Sequence, residues 1–254
     1  MLMERFIDKK ILVVGGASGI GREIATAFGD EGGLVCVADL NELGGRETVA
    51  MIESRGGQGW FAGVDVRDES SVEEMVGSAV AAIGGLDILV NVAGVLKIGL
   101  VDDLPTEDWD QVFDVNIRGQ YLTVKHSLRA LRQSGGAVIV NIASAAGYKD
   151  GSGNTAYSAS KGAVITFSKT LAMELAPVGI RVNAICPGFI DTSFNAPAYE
   201  FMGGMESVER FVEENIPLRR KGQPAEVANY VLFMSSDDAS FITGQAPLID
   251  GGMI

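Results

Sequence analysis

The stretch Ile11-Leu-Val-Val-Gly15-Gly-Ala-Ser-Gly-Ile-Gly21 decides the fold of this chain. It opens with four consecutive apolar residues, three of them β-branched. Such an unbroken run is what a parallel strand buried on both faces requires. Gly15, Gly19 and Gly21 follow at G-x-x-x-G-x-G spacing and lead into a segment of helical periodicity from Glu23 to Glu31. Glycines let a backbone approach a pyrophosphate closely, and a helix amino terminus presents unpaired N–H groups to it. The spacing is not the G-x-G-x-x-G fingerprint, but a strand before and a helix after preserve its physics. Gly15, Ser18, Gly19, Ile20 and Gly21 are therefore candidates for holding a dinucleotide phosphate.

The same rhythm continues outward from this stretch. Apolar runs at Leu34 to Ala38, Trp60 to Ala62, Ile88 to Val90, Ala137 to Val140, Val182 to Ile185 and Ala246 to Ile249 read as strands. Between them, segments such as Ser70 to Ile83 and Trp109 to Arg132 carry helical periodicity. Regular βα alternation predicts an α/β chain with a parallel sheet covered by helices on both faces. No composition shift or repeat divides it, so one domain over residues 1–254 is expected. The exception to the rhythm is a long connection, about residues 188–223. It carries Phe194, Tyr199, Phe201, Met202, Met205 and Phe211 around Gly203-Gly204. Long connections in compact domains often serve as lids, and a substrate lid is expected here.

The chain has 254 residues, with 33 Asp and Glu against 20 Lys and Arg. That balance argues against nucleic acid or an anionic membrane as partner, since both need a basic footprint. No hydrophobic leader precedes Lys10, and no apolar run approaches the roughly 18 residues a membrane span needs. A cytoplasmic protein is expected. Cys36 and Cys186 fall within apolar runs and read as reduced core residues, and no spacing suggests a metal site. His126 is the only histidine and lies mid-helix without a nucleophile motif, which removes Ser-His-Asp hydrolysis; a structural or interface role is expected for it.

Asp39 ends the second strand. A carboxylate there accepts hydrogen bonds from ribose hydroxyls and repels a 2′-phosphate. Ser18 before Gly19 and Leu40 after Asp39 put no cation nearby, so NAD is favoured over NADP. Asp65 and Val66, after the third strand, are placed to hold the adenine amino group, or Asp65 is an ordinary helix cap. Asn91, Ala93 and Gly94 end the fourth strand, where small residues let a cofactor lie against backbone. Tyr157 and Lys161 stand four residues apart, on one helix face. A neighbouring ammonium lowers a phenol's pKa from its usual value near 10, towards the range useful in acid–base catalysis. Ser144 follows the strand at 137–143, at the carboxyl end where open α/β sheets do their chemistry.

These motifs, in order and spacing, resemble the short-chain dehydrogenase/reductase family over nearly the whole chain. The resemblance rests on the Gly15/Gly19/Gly21 loop, Asn91-Val-Ala-Gly94, Asn116, Ser144, Tyr157-x-x-x-Lys161, Pro187-Gly188 and the closing Asp250-Gly-Gly252. Two positions depart from it. Val14 stands where a threonine often steadies the turn, and Val92 replaces one member of a usual Asn-Asn pair. The resemblance implies a doubly wound Rossmann fold with strand order 3-2-1-4-5-6-7 and assembly as a homotetramer through the long helices after strands four and five. It implies that Tyr157 exchanges the substrate proton and that Lys161 binds the nicotinamide ribose. Ser144 would bond the substrate oxygen, Asn116 would hold a water leading to Lys161, and Thr192 with the backbone near Ile190 would bind the carboxamide. Pro187 and Gly188 join the cofactor wall on the same ground. The implied chemistry is NAD-dependent hydride transfer to or from a secondary alcohol or ketone.

Alternatives are a 3-oxoacyl carrier-protein reductase, a sugar or polyol dehydrogenase, a sugar epimerase or dehydratase, and a non-catalytic dinucleotide sensor. The intact set of Asn116, Ser144, Tyr157 and Lys161 argues against a sensor, which needs no proton relay. An acidic surface suits an acidic carrier protein poorly. The apolar lid points to a small or medium apolar substrate. Lys97 and Lys149, expected near the pocket mouth or else plain surface lysines, leave room for a polar or anionic one.

Overall fold

The computed structural model describes residues 5–149 and 151–254. Its centre is a seven-stranded parallel sheet in the order β3-β2-β1-β4-β5-β6-β7, as the family resemblance implies. The strands are β1 (Lys10–Val14), β2 (Leu34–Asp39), β3 (Gln58–Gly63), β4 (Ile88–Asn91), β5 (Val138–Ile142), β6 (Arg181–Pro187) and β7 (Leu248–Ile249). Side chains alternate across a strand, and β1 shows the consequence. Ile11 and Val13 pack on one face with Ile24 and Phe28 of α1 (Gly19–Asp30), Ile52 of α2 (Glu42–Ser54) and Val227 of α9 (Pro224–Ser235). Leu12 and Val14 pack on the other with Met75 of α3 (Glu69–Ile83), Leu122 of α5 (Gly119–Ser134) and Leu171 of α6 (Thr155–Leu175). Two cores on one sheet explain why the strands read as continuous apolar runs.

Parallel registers such as Val14↔Asn91 and Asn91↔Asn141 bring the strand ends into line. The loops that follow β1, β2, β4, β5 and β6 therefore emerge at one edge. The expected helix from Trp109 to Arg132 is longer and interrupted. It comprises α4 (Thr106–Phe113), a π-helical turn Asp114–Arg118 and then α5. Asn116 lies in that turn, and π insertions are frequent at functional sites. β3 is longer than expected and β7 shorter. Cys36 and Cys186 are free and buried. His126 Nε2 lies 3.1 Å from Glu69 Oε1, tying α5 to α3. Among the described residues, no helix is long and apolar enough to cross a membrane.

The long connection folds into α7 (Ala196–Phe201) and α8 (Met205–Asn215). Its two ends meet: Asp191 N–H donates to the Gly222 carbonyl (2.8 Å) and Gly222 N–H donates to the Phe189 carbonyl (2.9 Å). Lys221 strengthens the junction by donating to Asp191 (2.6 Å) and to the Tyr199 hydroxyl (3.3 Å).

Candidate active site

A cavity of about 710 Å³ runs along the carboxyl edge of the sheet and under α7 and α8. Its first wall is the glycine loop. A Cβ at Gly21 would stand 1.9 Å from the Gly15 carbonyl oxygen, and one at Gly15 would stand 2.4 Å from Ala93 N. Gly15 also has φ +90, a conformation open chiefly to glycine. The loop therefore packs backbone against backbone and leaves the α1 amino terminus open. The Ser18 side chain makes no capping bond there, so the first N–H groups of α1 remain available to a phosphate.

Asp39 lines the same cavity, with its carboxylate fixed by two backbone donors. Ala17 N–H donates to Oδ2 and Asn41 N–H to Oδ1, each at 2.9 Å. Arg22 lies just beyond the loop and donates to the Ala17 carbonyl (2.6 Å) and to Glu47 (2.9 Å). Its position was missed from sequence, yet it braces the loop from behind. Leu40 and Val66 complete this end of the cavity. Asp65 is here too, chelated by Arg67 at 2.7–3.2 Å, and that guanidinium holds its carboxyl below the usual range. A cradle shaped by glycines, a helix terminus and an acceptor at the tip of β2 fits a dinucleotide.

Further along are the expected chemical groups. Ser144 begins a short turn over 145–147; its Oγ accepts from Ala146 N–H at 3.1 Å and reaches the Pro187 carbonyl at 3.4 Å. That turn rests directly on α6: a Cβ at Gly147 would come within 2.8–2.9 Å of Lys161 C and Gly162 N. Close backbone approach thus brings Ser144 beside the helix that carries Tyr157 and Lys161. Lys161 Nζ lies 5.7 Å from the Tyr157 ring centre and donates to the Ile142 carbonyl at 2.9 Å. Lys161 is buried, and burial pushes its ammonium down to about 8. Desolvation disfavours the charged form, so this lysine titrates close to neutrality. Burial pushes the neighbouring Cys186 thiol up to about 11.

Ala93, Gly94, Pro187, Gly188, Ile190 and Thr192 also line the cavity, as do Gly15, Ser18, Gly19, Ile20 and Gly21. Two expected residues stand behind the wall instead. Asn91 turns away from the cofactor side: its amide donates to Asn141 Oδ1 (2.9 Å) and accepts from the Thr123 hydroxyl (2.7 Å), in a buried polar ladder. Strand register decides this, because Asn91 pairs across to Val14 and Asn141 within the sheet. Asn116 accepts from Val95 N–H (2.8 Å) and donates to the Val95 carbonyl and to Ser160 Oγ (3.0 Å each). Its side chain clamps the segment after β4, beside Gly94 and near Lys161 Nζ.

At the far end, Phe194, Phe201, Met202 and Phe211 of the long connection line the cavity. Tyr199 packs on Phe189 instead, and Met205 is exposed. Lys97 and Lys149 are not among the lining residues; Lys97 pairs with Asp108 at 2.9 Å. Leu96, Ile98, Gln111, Asn154 and Met253 line this end without having been singled out from sequence. Asn154 alone had a readable signal, because it precedes Tyr157 by one helical turn.

Comparison with known proteins agrees with this geometry. The family model described as enoyl-(acyl carrier protein) reductase matches residues 15–254. A cyclopentanol dehydrogenase of Comamonas is 38% identical over 98% of this chain and 98% of its own. A 3-oxoacyl-[acyl-carrier-protein] reductase of Thermotoga maritima is 36% identical over 98% of this chain and 99% of its own. The crystal structure of levodione reductase superimposes with a TM-score of 0.94 at 31% identity, covering 98% of each chain. The chain belongs to the short-chain dehydrogenase/reductase family: it is an oxidoreductase with a fold that binds a nicotinamide dinucleotide.

Proposed function

We propose that this protein is an NAD-dependent dehydrogenase of a neutral secondary alcohol, or a reductase of the matching ketone, with Tyr157 as general acid and base. The observation that carries this reading is the single cavity joining the glycine loop and Asp39 to Ser144, Tyr157, Lys161 and an apolar far end. When bound, NAD supplies the hydride acceptor. Gly15, Ser18, Gly19, Ile20 and Gly21 hold its phosphates, Asp39 its adenosine ribose, and Asp65, Val66 and Leu40 border its adenine. Ala93, Gly94, Pro187, Gly188, Ile190 and Thr192 flank the nicotinamide half. Ser144 donates a hydrogen bond to the substrate oxygen, and Tyr157 takes or returns that oxygen's proton. Lys161 in its charged form favours the phenolate, with Asn116 fixing the backbone beside it.

Support for NAD comes from Asp39, already oriented by two N–H donors, and from the neutral Leu40 beside it. A 2′-phosphate placed against that carboxylate meets like-charge repulsion. Support for a neutral substrate comes from the charges. Among the described lining residues, Asp39, Asp65, Arg67 and Lys161 are the only Asp, Glu, Lys, Arg or His side chains, and none belongs to α7 or α8. The names of the relatives divide between a cyclic alcohol and an acyl carrier-protein substrate. The net charge of −13 favours the former, since carrier proteins are acidic. We further read the protein as a cytoplasmic homotetramer joined through α5 and α6, where Tyr121 and Met173 are exposed. Residues 1–254 are taken as one catalytic domain, with residues 188–223 as its lid.

The test is NADH absorbance against a panel of cyclic and acyclic secondary alcohols, sugars and acyl thioesters, each with NAD and NADP. The expected result is turnover of neutral cyclic alcohols with NAD preferred. Preference for NADP, or turnover confined to acyl thioesters, contradicts the reading.

A further inference from the structure

We propose that Asn154 sets substrate specificity by binding a second oxygen of the substrate, a hydroxyl separate from the carbinol that reacts. This rests on the reading of Tyr157 as the acid–base group and adds to it a statement about the substrate: a neutral ring carrying two oxygen functions.

Three observations carry the inference. Asn154 lines the cavity and precedes α6, so that Asn154, Tyr157 and Lys161 fall at i, i+3 and i+7 on one helix face. Asparagine in that position ordinarily accepts a hydrogen bond from the first helical turn. Here its side chain makes no capping bond, although it is the helix's flanking residue. Its Oδ1 is sealed from solvent without a partner. A buried carbonyl oxygen without a donor is costly, and a turn of this side chain towards the cavity it lines lets a ligand hydroxyl donate to it and removes that cost.

The surroundings suit an apolar ring. Gly153 packs under Phe201 of α7, close enough that a Cβ there would meet the ring at 2.8 Å, with Ile98 at 3.2 Å. Side chains one turn apart on a helix face stand roughly 5–6 Å from each other at Cβ. A ring whose reacting oxygen meets Tyr157 therefore brings its far side to Asn154. An alcohol with a single hydroxyl leaves the amide facing carbon.

The test compares cyclohexanol with trans-cyclohexane-1,4-diol on the NAD-loaded enzyme, by equilibrium binding and by kcat/KM. The wild-type protein is expected to prefer the diol by roughly tenfold, the worth of one neutral hydrogen bond. In Asn154→Ala that ratio is expected to fall to about one. Asn154→Leu keeps the side chain's shape without its polar atoms, and gives the same reading should the smaller variant fold poorly. No preference in the wild type, or a ratio unchanged in both variants, overturns the proposal. Preferential binding of the diol with no NADH formed from either alcohol supports the role of Asn154 and instead contradicts the proposed chemistry at Tyr157.

Discussion

At the cofactor end of the cavity, backbone shapes the wall; beneath α7 and α8, side chains do. Gly21 and Gly15 meet with no room for a single carbon between them, and Asp39 is held by N–H groups of the same loops. At the other end Phe194, Phe201, Met202 and Phe211 come from a connection tied down at its two ends by a backbone pair and by Lys221. Close-packed backbone tolerates no added volume, whereas side chains of similar size can replace one another at modest cost. The contrast teaches where this fold fixes its chemistry and where it is free to change its substrate.

The largest expected effect on binding breaks the cofactor end. Gly21→Ala forces a Cβ against the Gly15 carbonyl, and NADH affinity should fall on the order of 100-fold or more, since overpacking costs up to about 3 kcal/mol. Affinity within a few-fold of wild type, measured by fluorescence titration, contradicts the backbone account of that wall.

The second prediction concerns Lys161, at the junction of the two ends. Its folded-state value is pushed to about 8 from an ordinary 10.5. Between those values the unfolded chain binds the proton that the folded one has released. The residue's contribution to stability is therefore lowest below pH 8 and rises as pH climbs to 10.5. Lys161→Met should raise stability at pH 7 by up to about 3 kcal/mol and flatten the pH profile above 8. Denaturation curves with the same pH slope in both proteins would count against a buried, strained charge.

The smallest effect belongs to the lid end. Phe201→Ala removes one side chain from a wall made of several, so the substrate's KM should rise roughly tenfold while NADH affinity stays put. Equal losses for cofactor and substrate would erase the distinction between the two ends.

The same contrast explains what could be read from sequence. The strands, the glycine loop, Asp39 and the Tyr157–Lys161 pair are local patterns: an apolar run, a spacing, a strand end. The strand order followed from a resemblance, and the sheet bears it out. Asn91 was misplaced because which face a strand-end side chain takes depends on register with β5, set fifty residues away. Lys97 looked available because Asp108, its partner, is brought to it by the turn into α4. Within the lid, Tyr199 packs on Phe189 and Met205 is exposed, and their spacing in the sequence does not separate them from Phe194, Phe201, Met202 and Phe211, which face the cavity. Met253 reaches the cavity from the far end of the chain, a contact only the tertiary fold creates.

The central claim is that Tyr157 moves the proton while the rest of the cavity binds. Replacing Tyr157 by Phe removes one hydroxyl and leaves the ring beside Phe194. The most direct measurement is turnover of a cyclic secondary alcohol by Tyr157→Phe, with NAD binding titrated on the same sample. The account predicts that binding survives and that kcat falls by about 100-fold to 10,000-fold, the usual worth of a positioned acid–base group. Turnover within a few-fold of wild type at saturating NAD would contradict it.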